Sequence, residues 1–184
     1  MILVILGTQD KKFNRLLEAV DKQIKKGNIK DKVVVQAGSS DFKSKDMEIF
    51  DYIPMDKFEE YIKKADLVIT HGGVGSIINS LKHDKKVIAA ARLKEFGEHE
   101  NDHQKQIISE FKKDGYILEL SDFDKLDEVI EKSKKFKPKK YEGNNKKMLE
   151  LVDSFIESSN NKPTIIRPFI AIFAFILLVI LLLV

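Results

Sequence analysis

The end of this 184-residue chain restricts it more than any other part. Residues 165–184 form a run of 20 in which 16 are Ile, Leu, Val or Phe and only Arg167 is charged. A helix of them, rising about 1.5 Å per residue, would cross the roughly 30 Å hydrocarbon layer of a membrane. Each such side chain favours mid-membrane by about 0.3 to 0.6 kcal/mol, and Arg167 falls at the entry edge, where it can reach headgroups. Pro163 and Pro168 sit at or near the start, where a missing N–H is tolerated. The run has no polar face, which argues against a core helix. A single-pass C-terminal anchor in the cell membrane is expected, with the lysine-rich chain before it on the cytoplasmic side. Of the 32 Lys+Arg and 29 Asp+Glu, all but Arg167 precede residue 164. The expected organisation is a globular domain over 1–160, a linker over 161–164 and the anchor over 165–184.

Within the globular part, short apolar runs alternate with helical patterns. Strands are expected at residues 2–6, 32–36, 48–52, 67–70, 86–90 and 116–119. Phe13, Leu16, Leu17, Val20 and Ile24 follow helical spacing, as do Phe58, Tyr61 and Ile62, and later Leu126, Val129 and Ile130. Gly27-Asn28 marks the end of the first helix. Residues 2–6 are too short for a signal peptide and read as a buried strand running into Gly7-Thr8-Gln9. Unalternating strands separated by helices indicate an α/β protein with a parallel sheet covered on both faces. Lys132 to Lys147 is a basic stretch, read first as a solvated loop and alternatively as a strip meeting anionic lipid. Residues 148–156 look like a last helix. With no cysteine, the chain has no disulfide, cysteine nucleophile or thiolate metal site. A pI of about 8.8 over mixed-sign charge is too small a bias to argue for nucleic acid.

Ligands of parallel sheets bind beyond the carboxyl ends of the strands. Three such ends are rich in small or polar groups: Gly7-Thr8-Gln9, Gly38-Ser39-Ser40 and His71-Gly72-Gly73-Val74-Gly75-Ser76. The third opens a helix through Ile77, Ile78 and Leu81, so backbone N–H groups and the helix dipole could meet a phosphate. It is neither a Walker loop nor a dinucleotide fingerprint. A second concentration runs from Glu95 to Gln104. Its His99-Glu100-x-x-His103 spacing matches that of zinc proteases. Asn101 and Asp102 between the histidines, and polar surroundings, argue against that reading. No metal site is expected.

These pieces together resemble the PssE-type polysaccharide glycosyltransferase subunits. Those are relatives of the catalytic subunit of the eukaryotic dolichol-linked GlcNAc transferase and of the glycosyltransferase family 28 C-terminal domain. The resemblance rests on Gly7-Thr8-Gln9 with Phe13 and Arg15-Leu16, on Gln36-Ala37-Gly38-Ser39-Ser40 and on residues 65–76. Its most specific part is Arg92 through Gln104. It covers about residues 1–120 and leaves the anchor outside.

The resemblance implies a Rossmann-like sheet, the donor-binding half of a GT-B enzyme, acting as a UDP-sugar-dependent hexosyltransferase. The donor contacts it implies are Gly7, Thr8, Gln9, Gly38, Ile53, His71, Gly72, Gly73, Gly75, Ser76, Asn79, Glu98 and Asn101, with Gln104, and Asp102 and His103 beside it, toward the hexose. The glycine turn and Thr8 would cradle the diphosphate, and the chain near Tyr52-Ile53 would meet uracil. UDP-sugar is the donor substrate, and no cofactor is implied. A PssD-like membrane subunit would supply the acceptor site for a lipid-linked acceptor in polysaccharide biosynthesis. No catalytic base stands out, with His71 and His99 as weak candidates. Asn79 stands where family members usually carry Glu for the ribose hydroxyls, and Asp84-Lys85-Lys86 replaces a usual Gly-Lys-Pro. That departure feeds the alternative, a non-catalytic membrane-tethered subunit that binds nucleotide-sugar or serves as a scaffold.

Overall fold

Strands that are apolar at every position need cover on both faces, and the chain supplies it with helices on each side of one sheet. The structure, a computed structural model, describes residues 1–143. Its strands are β1 (Ile2–Ile5), β2 (Val33–Gln36), β3 (Glu48–Phe50), β4 (Leu67–His71), β5 (Lys86–Ala90) and β6 (Leu118–Glu119). They pair in the order β3-β2-β1-β4-β5-β6, every pair parallel. The helices are α1 (Asn14–Lys25), α2 (Met55–Lys64), α3 (Val74–Lys82), α4 (His103–Lys113) and α5 (Leu126–Lys135). Residues Met1–Glu142 form one compact unit.

The pleat divides the core in two. Ile2, Val4 and Leu6 join Leu16, Leu17 and Val20 of α1 and Leu126 and Ile130 of α5. Leu3 and Ile5 face the other way, onto Phe58 and Ile62 of α2, Ile77 and Leu81 of α3 and Ile108 of α4. Alternate residues along one strand therefore anchor opposite helical layers.

All six expected strands are present, β3 and β6 each shorter by two residues. β3 stops at Phe50 because Pro54 opens α2 and the intervening residues turn toward it, although Gly38 N still donates to Asp51 O at 2.8 Å. β6 begins only at Leu118 because Tyr116 N closes the end of α4 on Phe111 O. Helix α4 was not among the expected elements. The basic stretch is corrected in its first part, since Lys132, Lys134 and Lys135 form the last turn of α5, where cations suit the helix dipole, whereas Lys137, Lys139 and Lys140 lie exposed in the loop that follows. The expected helix at 148–156, the linker at 161–164 and the apolar run at 165–184 lie outside the described residues. Among the described residues no helix is long and apolar enough to cross a membrane.

The loops after β1 and β2 touch through two glycines in the left-handed region. Gly7 has φ +78° and Gly38 φ +60°, and a Cβ on Gly38 would collide with the Gly7 carbonyl oxygen. Gly27, with φ +77°, has open space around it. Gly27→Ala therefore measures the conformational cost alone, about 1 to 2 kcal/mol. Gly38→Ala is expected to cost clearly more, because the two loops must separate. Urea denaturation of both variants reads the difference, and equal losses would mean that the loops part freely.

Candidate functional site

The strand order turns in opposite directions on either side of the β1–β4 pair, so the loops after those strands diverge and leave a crevice. A cleft of about 640 Å³ opens there. Gly7, Thr8 and Gln9 form one wall and His71 through Ser76 the floor. Tyr52, Ile53, Met55 and Phe58 make an apolar wall, and His99, His103, Gln104 and Ile107 close the opposite side. Tyr52 and Met55 are 56% and 70% exposed, unusual for large apolar side chains.

The floor is the start of α3. Gly73 is its N-cap and offers no side chain to the helix, and the first bond into the helix is Ile77 N to Gly73 O at 3.1 Å. The N–H groups of Val74, Gly75 and Ser76 have no acceptor among the described residues, as first-turn donors do when nothing caps them. They carry the positive end of the helix dipole toward the cleft. Gly72 differs: its N–H donates to Gln104 Oε1 at 3.2 Å.

His71, at the end of β4, is buried between the two glycine loops. A Cβ on Gly73 would strike its ring, and one on Gly7 would stand 2.8 Å from Nε2. Both glycines are thus spaces for the imidazole. Nδ1 faces the Ile5 carbonyl at 3.3 Å, which can only accept, so Nδ1 carries the proton and Nε2 is bare. Burial, helped by the nearby Arg92 charge, pushes the His71 pKa down to about 4. It is neutral at physiological pH and too weakly basic to serve readily as a general base.

Gln104, buried near the start of α4, ties three elements together. Its Oε1 accepts from Gly72 N at 3.2 Å and from Arg92 N at 3.0 Å, leaving only Nε2 for a ligand. The loop before α4 is held by Glu98, which binds Arg15 Nε at 3.0 Å and Nη2 at 2.8 Å and accepts from Leu93 N. Arg15 in turn lies over the rings of Phe96 and Phe123, at 4.4 and 4.1 Å.

Of the expected site residues, Gly7, Thr8, Gln9, Ile53, His71, Gly72, Gly73, Gly75, Ser76, Asn79, His99, His103 and Gln104 line the cleft. Four do not. Gly38 lies behind Gly7 as its contact partner. Glu98 is spent on Arg15, and Asn101 Oδ1 caps His103 N at 3.2 Å. Asp102 Oδ1 accepts from Lys94 N at 2.9 Å, the main reason its carboxyl is held below the usual range. Gln36, Met55, Phe58 and Ile107 line the cleft without having been expected. Their signal was position alone, next to strand ends and helix starts.

The zinc-protease spacing dissolves in three dimensions. His99 precedes α4 and only His103 lies on it, their rings edge to face with centroids 4.7 Å apart. Among the described residues no group of three or more His, Asp or Glu gathers in a way that could hold a metal ion.

The profile of the family described as "Glycosyltransferase family 28 C-terminal domain" matches residues 1–158. The chain is 34% identical over 80 residues to the UDP-N-acetylglucosamine transferase subunit ALG13 of Candida albicans, covering 44% of this chain and 26% of that one. It is 28% identical over 106 residues to the subunit of the same name from Debaryomyces hansenii, covering 58% of this chain and 47% of that one. The match thus spans between about a quarter and a half of those relatives' length. The fold is similar to that of the kitacinnamycin glycosyltransferase in its crystal structure, with a TM-score of 0.50 at 13% identity, over 71% of this chain and 34% of that one.

His71 links the site to pH. Its folded pKa of about 4 lies below the ordinary 6.5, so between those values the unfolded chain binds the proton and the folded chain does not. Stability from this group is full above about pH 6.5 and falls as pH drops toward 4, by up to about 3 kcal/mol. Urea midpoints from pH 7 to 4.5 should fall for the wild type and stay flatter for His71→Gln. Parallel slopes would show that the imidazole does not carry the effect.

Proposed function

The chain belongs to the glycosyltransferase family 28 C-terminal domain family, and from that footing we propose that it is the donor-binding part of a UDP-sugar-dependent hexosyltransferase. One observation carries the reading: three unpaired N–H groups at the start of α3 face a cleft at the sheet's switch point, beside an exposed apolar wall. The N–H groups suit a diphosphate, and Tyr52, Ile53 and Met55 suit a nucleoside base. Departing UDP gains negative charge as the sugar leaves, and fixed dipoles in place beforehand stabilise that charge without reorganising. Neutral His71 adds no charge and supports the loops sterically. Gln104 Nε2 is the group left to meet the hexose.

The acceptor site is proposed to belong to a partner. His71, buried and neutral, is too weak a base to serve an acceptor, and the similar curated proteins are themselves called transferase subunits. A PssD-like membrane subunit and a lipid-linked acceptor in polysaccharide biosynthesis fit the apolar run at 165–184, proposed as a single-pass anchor with the domain cytoplasmic. Confinement of two chains to one membrane raises their effective concentration without any new contact. Turnover of UDP-sugar by the reconstituted pair, with and without this chain, tests the assignment. A partner equally active alone would favour the second reading, a subunit that binds nucleotide-sugar or scaffolds without catalysing.

Asn79 is the observation behind that second reading. It lines the cleft one turn into α3, where the resemblance leads one to expect a carboxylate. Asn79→Glu is expected to tighten UDP-sugar binding by about 1 kcal/mol, the gain of a charge-assisted over a neutral hydrogen bond. Calorimetry reads it directly. Weaker binding would mean that ribose does not sit against this turn.

A further inference from the structure

Arg92 heads the fully buried side chains by size, with no exposed surface, and it is a cation. It stands just past the end of β5. Among the described residues it makes no ion pair. The carboxylate that could serve it, Glu98, is committed to Arg15 and to Leu93 N. Its own partners are neutral. Nη2 donates to the Leu6 carbonyl, Nη1 approaches Gln9 Oε1 at 3.5 Å, and the guanidinium stands 5.6 Å from the Phe13 ring centroid. Nε has no hydrogen-bond partner among the described residues. Burying a charge with neutral partners and an idle donor is costly, and an apolar side chain of similar volume would fill the space more cheaply.

The position of this cation suggests its use. Leu6 and Gln9 bracket the loop of Gly7 and Thr8, and Gly7, Thr8 and Gln9 line the cleft. The guanidinium is therefore separated from the cleft by one layer of backbone, and the carboxylates whose charge reaches it, Glu98 and Asp10, form no ion pair with it among the described residues. A charge so placed acts over several ångströms, because the intervening medium polarises little. Arginine suits the task, since it stays charged when buried and its fork holds a carbonyl and an amide together.

We propose that Arg92 is a buried counter-charge for the diphosphate of the donor, a positioning residue that acts through the Gly7–Gln9 loop and never touches the ligand. The inference rests on reading the cleft as a UDP-sugar site. The loop it braces and the field it projects serve the same end, so the diphosphate meets a fixed cation behind one wall and helix N–H groups on the floor.

The test compares UDP with uridine, which shares the base and ribose but has no phosphate. Ligand-observed NMR on the full-length chain reads both affinities, weak ones included. In Arg92→Met, UDP affinity is expected to fall about tenfold while uridine affinity changes less than twofold. Arg92→Lys, which keeps a charge, should retain more than half of the wild-type preference for UDP on a logarithmic scale. A general loosening of the loop would weaken both ligands alike, and that outcome overturns the proposal. So does an unchanged ratio in Arg92→Met, or a ratio lost equally in Arg92→Lys. If Arg92→Met does not fold, the lysine variant decides. Failure of the wild type to bind UDP would remove the donor-site reading first, and the inference with it.

Discussion

Burial of both faces of the parallel sheet is the constraint from which the rest of the structure follows. Helices that return the chain to the start of the next strand must run against the strands, so α3 and α4 both begin at the carboxyl edge. Helix starts present unpaired N–H groups. The fold therefore gathers donors at one edge, and the switch between β1 and β4 opens a space for something to meet them. No residue had to be selected for that edge to favour an anion. Selection acts on how firmly the edge is held.

That hold is polar and comes from far along the chain. Gln104 Oε1 joins the ends of β4 and β5 to α4 through Gly72 N and Arg92 N. The guanidinium of Arg92 reaches back to Leu6 O at the end of β1. One short network thus spans three strand ends and a helix start. Buried polar networks of this kind are costly to leave half-satisfied, so they favour one arrangement over near alternatives. Glu98 and Arg15 do the same at the rim, fixing the loop that carries His99 to α1.

Legibility in the sequence followed the type of force involved. β1, β2, β4 and β5 were readable because Ile, Leu and Val run unbroken up to a glycine or polar stop, and α1 because its apolar stripe is wide. α4 was not, although Gln104, Ile108 and Phe111 share a face. The polar motif at its start points to chemistry rather than to packing, which hides the helical period that follows. The glycine turn was legible as a helix start, whereas its occupancy was not: that Gly72 N is taken and Val74 N is free depends on a glutamine 32 residues on. The burial of Arg92 was invisible for a plain reason. Charge in a sequence argues for the surface, and only the packing of Phe13, Leu6 and Gln9 around it says otherwise.

Under the proposed reading, these features divide the cleft by what each contact does during transfer. A ribose contact is made equally before and during sugar departure, so weakening it through Asn79 raises the concentration of donor required and leaves the chemical step alone. The diphosphate contacts are different, because charge builds on them as the bond to the sugar breaks. The N–H groups of α3 and the cation behind Gly7 act on that growing charge. A chain with Asn79 in place of a carboxylate and with Arg92 kept buried has lost strength where binding is uniform and retained it where binding is differential. On that reading, a buried cation without an ion pair behind the phosphate wall serves a cleft in which a diphosphate leaves.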